Sequence, residues 1–238
     1  MLDSSIHRAK APSFVTFTFG ERKFFRKAQS RVVAAATPLF AEGLKKGDTS
    51  RVVEGAVCLC RQTADGGRHV LDVLGPGHLV GPFLTDIDCC NVVALTRTRL
   101  ASLGASEEAD EVAEATRRML TRAQSHAILL RRSGVWERVA SCLLDLADQF
   151  GAACEGDPDD ETTFTLHLNR SDLADWLGLT LASVSRGLND FKRAGLIAFD
   201  HPKVITIRDR AGLEALAFGP CEPAGKSQPH GAQRSGAR

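Results

Sequence analysis

The sequence has no apolar run long enough to cross a bilayer. Its longest uninterrupted apolar stretches, such as Val32–Ala36 and Ala127–Leu130, are only a few residues long, whereas a membrane-spanning helix needs about 20. Residues 1–10 carry charges of both signs and lack the apolar segment of a secretory signal peptide. With 43% apolar and 25% charged residues, the composition is typical of globular chains. We therefore expect a cytoplasmic globular protein.

The sequence also lacks the cysteine and histidine spacings of a metal or disulfide framework. Seven cysteines stand at positions 58, 60, 89, 90, 142, 154 and 221, with no Cys-x-x-Cys pair among them. Their odd number and wide spacing do not fit a disulfide scaffold, and no His-x-x-x-His pattern accompanies them. Most should be free thiols, and we predict no metal site.

Charge of one sign is not in excess either, because the net charge is +1. A balanced total neither favours nor opposes nucleic-acid binding, which depends on a local basic surface.

The first hundred residues show the pattern of a β domain. Between residues 14 and 103, short apolar stretches alternate with Gly- and Pro-containing turn signals. The clearest hairpin is Val57–Thr63 followed by Arg68–Leu74, because Asp65-Gly66 between them suits a tight turn. This punctuation predicts an antiparallel β sandwich or barrel over residues 1–104.

A long helix is predicted over residues 105–134. The segment contains no proline, begins with acidic residues and ends with Arg131 and Arg132, which suits the helix dipole. A heptad seam at spacings of four and three predicts pairing with another helix. Its residues are Val112, Thr116, Met119, Ala123, His126 and Leu130. We predict a dimerisation helix, and the alternative is a helix packed within its own chain.

A helix-turn-helix is predicted within residues 135–218. After a helix at Val135–Phe150 and an acidic loop at 155–161, Asn169 and Thr180 stand as N-caps of two short helices, with Gly178 between them. The buried side of the pair is predicted to be Leu173, Ala174, Leu177, Val184 and Leu188. Strands at 196–200 and 204–208 predict a wing, and the polar tail 219–238 is expected to be disordered.

This order of elements resembles the Crp/Fnr family of bacterial transcription regulators over about residues 30–217. The segments that carry the resemblance are Gly47-Asp48, Glu54–Val57, Gly75–Gly77, Leu177–Arg186 and Gly195–Ile197. Asp65–His69 and the wing at 200–207 resemble the FixK-like branch, found in proteobacterial oxygen and nitrogen regulation.

The resemblance implies an α+β protein with an N-terminal β jelly-roll sensor domain similar to cyclic-nucleotide-binding domains. A long dimerisation helix and a C-terminal winged helix-turn-helix follow. It also implies a homodimer that binds double-stranded DNA at a pseudo-palindromic promoter site, contacts RNA polymerase and has no enzymatic activity.

Two departures from the family bear on ligands. Members that bind cyclic nucleotide have a Gly-Glu pair and then an Arg-Ser pair that holds the phosphate. Here Pro82 follows Gly81, and Asp88-Cys89 takes the place of Arg-Ser, so a carboxylate would repel the phosphate. Members with an oxygen-labile iron–sulfur cluster use N-terminal cysteines, but the first cysteine here is Cys58. We therefore expect no cyclic nucleotide, no such cluster and no other cofactor.

A third departure lies in the recognition helix, where Ala182 replaces the Glu of the family pattern Glu-x-x-Ser-Arg. Glutamate accepts a hydrogen bond from cytosine, whereas alanine offers only a methyl group to thymine, so the site preference should be altered or relaxed. By the resemblance, Ser185 reaches a base edge and Arg186 reaches a guanine or a phosphate. Arg170, Thr180 and Ser183 are expected to contact phosphates. The predicted DNA-binding residues are Arg170, Thr180, Leu181, Ala182, Ser183, Ser185, Arg186, Asn189 and Lys203.

Three alternatives stay open. A cysteine-based redox or metal sensor would use Cys58, Cys60, Cys89 and Cys90, with His69 or His78 as further ligands. A metal-dependent jelly-roll enzyme would need several converging histidines, and the β domain offers only those two. A dimeric adaptor without DNA binding would explain the missing acid at Ala182, and the absence of a salt-dependent DNA affinity would identify it.

Overall fold

The structure is a computed structural model that describes residues 30–40, 49–63, 68–81, 90–103, 108–131, 134–151 and 161–219. The strands of its N-terminal part are β1 (Ser30–Val33), β2 (Pro38–Phe40), β3 (Ser50–Glu54), β4 (Val57–Gln62), β5 (Arg68–Leu74), β6 (Leu79–Val80), β7 (Asn91–Ala94) and β8 (Thr98–Ser102). They form two antiparallel four-stranded sheets, ordered β1-β8-β3-β6 and β2-β7-β4-β5.

The two sheets enclose an apolar core, as the alternating pattern of the strands requires. Val52 and Leu100 of the first sheet cluster with Val57, Leu59 and Val92 of the second, and all of them are buried. The predicted hairpin is confirmed by the antiparallel pairing of β4 with β5, although its Asp65–Gly67 turn lies outside the described residues. This jelly-roll domain confirms the predicted N-terminal fold.

Two helices lead from the β domain to the C-terminal half. They are α1 (Glu108–Arg131) and α2 (Val135–Phe150), so α1 lies inside the predicted range and α2 has the predicted bounds. With 24 residues, α1 is about 36 Å long. No helix in the described ranges is long and apolar enough to span a membrane.

The C-terminal half is a winged helix-turn-helix, as predicted. Its elements are β9 (Thr162–Thr165), α3 (Arg170–Trp176), α4 (Leu181–Arg193), β10 (Ile197–His201), β11 (Val204–Ile207) and α5 (Arg210–Phe218). The strands form one sheet in the order β10-β11-β9. We refer to the elements from α2 to α5 as the head. Residues 220–238 of the tail lie outside the described part.

A second apolar core joins the β domain to the head. Val70 and Val73 of β5 share one buried cluster with Leu129 of α1 and with Val139 and Leu143 of α2. Because this cluster continues into α3 and α4, the β domain and the helix-turn-helix pack against each other directly.

Candidate DNA-binding interface

The helix-turn-helix is built from local signals that the sequence already shows. The Asn169 side chain accepts a hydrogen bond from the N–H of Asp172 (2.8 Å) and begins α3. Thr180 Oγ1 accepts one from the N–H of Ser183 (3.1 Å) and begins α4. Gly178, at φ +59°, supplies the left-handed turn between the helices. The predicted contact residues Leu173, Ala174, Leu177, Val184 and Leu188 are all at most 4% exposed.

The N-terminal half of α4 presents a small apolar patch beside a cation. Leu181 is 52% exposed, and Ala182, Arg186 and Asn189 are exposed as well. Ala182 and Arg186 stand one helical turn apart, so their side chains lie on one face. A helix that enters the major groove reads bases with the side chains near its N-terminus, and Leu181, Ala182 and Arg186 occupy that position.

The two serines predicted to contact DNA are less exposed than Ala182 and Arg186. Ser183 and Ser185 are half-buried, and the hydroxyl of Ser183 lies 2.9 Å from that of Thr180. Part of the hydrogen-bonding capacity of Thr180 and Ser183 therefore serves the cap of α4.

Arg170 and Lys192 both lie against the wing. The guanidinium carbon of Arg170 is 5.6 Å from the centroid of the Phe199 ring, and Lys192 Nζ is 4.5 Å from it. Lys192 also donates to the Phe199 carbonyl at 2.9 Å. Burial lowers the pKa of Arg170. These cation–π contacts hold α3 and α4 to β10, while Lys203 is exposed at the tip of the wing. Contact of Arg170 with phosphates stays a prediction, as does contact of Lys203 with DNA.

The residues of the predicted dimerisation seam point in two directions. Thr116, Ala123 and Leu130 are exposed on α1. Met119 instead packs against the β-domain core, and the His126 ring stacks on Trp176 with centroids 5.6 Å apart. Val112, the remaining residue of the seam, is half-buried. The β domain and the head thus cover one side of the predicted seam and leave the other side exposed.

A buried ion cluster that the sequence patterns do not predict joins three parts of the chain. Arg122 of α1 donates to Asp72 of β5 at 2.7 and 2.9 Å and to Asp145 of α2 at 2.8 and 3.0 Å. Gln149 Nε2 also donates to Asp145 at 2.9 Å. Burial disfavours the charged form of Asp72, but the Arg122 guanidinium outweighs it and lowers the pKa of Asp72. One sequence signal existed, namely a lone aspartate between apolar residues of β5.

The candidate sensor cysteines differ in their environments. Cys58 and Cys60 are buried on β4, Cys90 is half-buried, and Cys89 lies outside the described residues. The interaction between the Cys58 and Cys60 thiols raises the pKa of Cys58, as burial does, and lowers that of Cys60 to about 7. Across the described ranges, no three His, Cys, Asp or Glu residues are arranged to hold a metal ion.

Stability should fall as the pH drops below about 6.5. Burial lowers the pKa of His126 beneath its ordinary value of 6.5, as does the charge of Arg122, against the opposing charges of Asp72 and Asp145. Because the folded state favours the neutral ring, the full stabilisation is present at pH values above the histidine pKa of the unfolded chain. At lower pH the unfolded chain takes up a proton, and the stabilisation decreases. Thermal unfolding at pH 7.5 and 5.5 measures this loss, and His126→Phe, which keeps a stacked ring, should make it smaller. An equal loss in both proteins would contradict the assignment to His126.

Two family models match the chain in the order that the fold suggests. A cyclic nucleotide-binding domain matches residues 30–113, and a Crp-like helix-turn-helix domain matches residues 137–216. Among solved structures, FixK2 from Bradyrhizobium japonicum aligns with a TM-score of 0.64 at 23% identity, covering 79% of this chain and 96% of that one. A CRP-family transcriptional regulator from Thermus thermophilus aligns at 0.65 with 25% identity and the same coverage. These likenesses show the fold.

Curated proteins match over most of the chain as well. The nitrogen fixation regulation protein FixK of Azorhizobium caulinodans is 32% identical over 197 residues, which cover 78% of this chain and 77% of that protein. FixK of Rhizobium meliloti is 31% identical, with 78% and 87% covered. The transcriptional activator protein FnrL of Cereibacter sphaeroides is 28% identical, with 86% and 85% covered. With its jelly roll, long helix and winged helix-turn-helix, the chain belongs to the Crp/Fnr family of transcription regulators, in the FixK-like branch.

Proposed function

We propose that this regulator binds a pseudo-palindromic promoter site as a homodimer and controls genes of oxygen, redox or nitrogen metabolism. The observation that carries the DNA-binding part is the capped helix α4, whose N-terminal residues Leu181, Ala182 and Arg186 are exposed on a firmly packed helix pair. The proposed control of oxygen, redox or nitrogen genes is carried over from relatives named for nitrogen fixation regulation. As a promoter-binding protein it would act in the cytoplasm, together with RNA polymerase.

The exposed side of α1 supports the homodimer. A continuous stripe of small and apolar residues runs along it at spacings of three and four. The stripe, which we call the exposed seam, consists of Ala113, Thr116, Leu120, Ala123, Ala127 and Leu130, all exposed. It shares three residues with the predicted seam and differs from it by one position at the other three. A second copy of the chain, paired along this seam, would bury Leu120 and Leu130, which are 58% and 39% exposed.

The absence of cyclic nucleotide binding remains part of the proposal. It is supported by Pro82 and by Asp88 at the position of the family arginine, since a carboxylate cannot pair with a phosphate. Titration of the purified protein with cyclic AMP in a calorimeter should give no binding heat.

The proposed function is tested by selection from random duplex DNA with the full chain, in the presence and absence of reductant. We expect an inverted repeat with half-sites about ten base pairs apart and an affinity that falls steeply with salt. Binding without a salt slope, or no enrichment, would favour the adaptor. Loss of enrichment only without reductant would support the second candidate, thiol control, which is suggested by the two free thiols of Cys58 and Cys60 on strand β4.

Removing Arg186 should weaken binding to the selected sequence by about 1–3 kcal/mol, because a bidentate contact to a base carries that much discrimination. The Arg186→Ala protein should also discriminate less between the selected duplex and one mutated in a half-site. Ala182→Glu should shift the preference toward cytosine at the position that Ala182 faces. Fluorescence anisotropy with a labelled duplex measures both effects.

Arg99→Ala is the matched control, because Arg99 is an exposed arginine of the β domain that forms a surface ion pair with Glu54 at 3.3 Å. It should bind the selected duplex like the unmodified protein. If Arg186→Ala and Ala182→Glu also bind unchanged, α4 is not the recognition helix.

A further inference from the structure

Strand β5 is an edge strand of its sheet, and its free edge meets the first helix of the helix-turn-helix. The Arg68 guanidinium bonds to the carboxylate of Asp172, with Nε 3.2 Å from Oδ1. Asp175 accepts from His69 Nδ1 at 2.8 Å and from the N–H of Val70 at 2.7 Å. Successive residues of β5 are therefore bound to one face of α3.

Trp176 extends this contact to the long helix. Its Nε1–H donates to the Leu71 carbonyl of β5 at 3.2 Å, and its ring stacks on His126 of α1 at an interplanar angle of 15°. Trp176 itself is buried. One side chain of the head thus contacts both strand β5 and the helix that carries the exposed seam.

These bonds fix the direction of α3 relative to the β domain. An edge strand offers unpaired N–H and C=O groups. Here the N–H of Val70 donates to the head, and the C=O of Leu71 accepts from it. Sliding or rotating α3 by one residue would break the ion pair, both bonds of Asp175 and the indole bond together. Because α4 packs on α3 through buried leucines, the direction of the recognition helix follows that of α3.

The contact leaves the proposed DNA-reading surface free. Asp172, Asp175 and Trp176 lie on the side of α3 that faces β5, whereas Leu181, Ala182 and Arg186 are exposed on α4. The head can therefore stay docked on β5 while α4 lies in a groove of DNA.

We propose that Arg68 and His69 of β5, with Asp175 and Trp176 of α3, are positioning residues for DNA binding, because they set the distance and angle between the two recognition helices of a dimer. The inference rests on the proposed function. A dimer discriminates between operator spacings only if its heads are held rigidly, since half-site spacing mirrors the geometry of the protein. The structure assigns that rigidity to the β5–α3 contact.

The test uses the full chain and the operator obtained by selection. The triple variant Arg68→Met/His69→Ala/Trp176→Phe removes both side-chain partners on β5 and the indole donor, and it keeps an aromatic ring beside His126. Arg61→Met is the matched control, because Arg61 is an exposed cation on the same hairpin, paired in register with His69. Affinities are measured for duplexes with the selected spacing, for spacings about two base pairs longer or shorter, and for a single half-site.

We expect the unmodified protein and Arg61→Met to prefer the selected spacing by about tenfold or more, and the triple variant by about threefold or less. Single half-site affinity should agree within about twofold for all three proteins, which a misfolded head would not show. A triple variant that keeps the full spacing preference, or that loses single half-site binding, overturns the inference. If the unmodified protein enriches no inverted repeat, the proposed function fails first and this inference fails with it.

Discussion

Replacing Arg122 by alanine lowers the free energy of unfolding by about 3–5 kcal/mol, because it leaves two buried carboxylates without their cation. Asp72 and Asp145 each receive two hydrogen bonds from this guanidinium, and all three side chains are at most 15% exposed. Chemical denaturation of the purified variant measures the loss directly.

The cost comes from the orphaned carboxylates more than from the lost attraction, and a second variant separates the two. A buried ion cluster exchanged for apolar side chains of similar size is often neutral or stabilising. Arg122→Met with Asp72→Leu and Asp145→Leu should therefore be more stable than Arg122→Ala alone. If the triple variant is as unstable as the single one, the carboxylates are not the cause.

Arg117→Ala serves as the control on the same helix. Arg117 is exposed and pairs with Glu114 three residues earlier, and surface pairs of this kind contribute about 0–1 kcal/mol. A loss for Arg117→Ala equal to that for Arg122→Ala would show that any arginine of α1 matters to stability, not the buried cluster.

The helix-turn-helix could be predicted from sequence because its signals are local. The caps Asn169 and Thr180 and the left-handed Gly178 each act within a few residues, and the helices begin and end where they stand. The ion cluster could not be predicted in this way. Its members stand at positions 72, 122 and 145, and only the tertiary packing of a strand on two helices brings them together.

The position of the exposed seam on α1 could be predicted only in part from the sequence. The predicted seam and the exposed seam are two heptad patterns on α1 that share Thr116, Ala123 and Leu130. The periodicity of the sequence fits both patterns equally well. The β domain covers Met119, and Trp176 covers His126. The exposed seam is the pattern that stays accessible. Helical periodicity alone cannot tell which side of a helix the rest of the chain will cover.

Placing glutamate at both leucines of the exposed seam should convert the proposed dimer to a monomer and weaken binding to the selected operator by about 10²–10⁴-fold. That range is the gain in affinity expected when two heads bind the two half-sites as one linked molecule.

In Leu120→Glu/Leu130→Glu, each pairing of two chains would bring four carboxylates into an apolar seam, where ionised groups are costly to bury. Light scattering after size exclusion gives the mass, and anisotropy gives the affinity. Leu216→Glu, at a leucine of α5 that is 38% exposed, is the control and should stay dimeric with full affinity. A double variant that remains dimeric would place the dimer contact elsewhere, whereas a monomer that still reads a single half-site would show that the head is intact and that the exposed seam holds the two copies together.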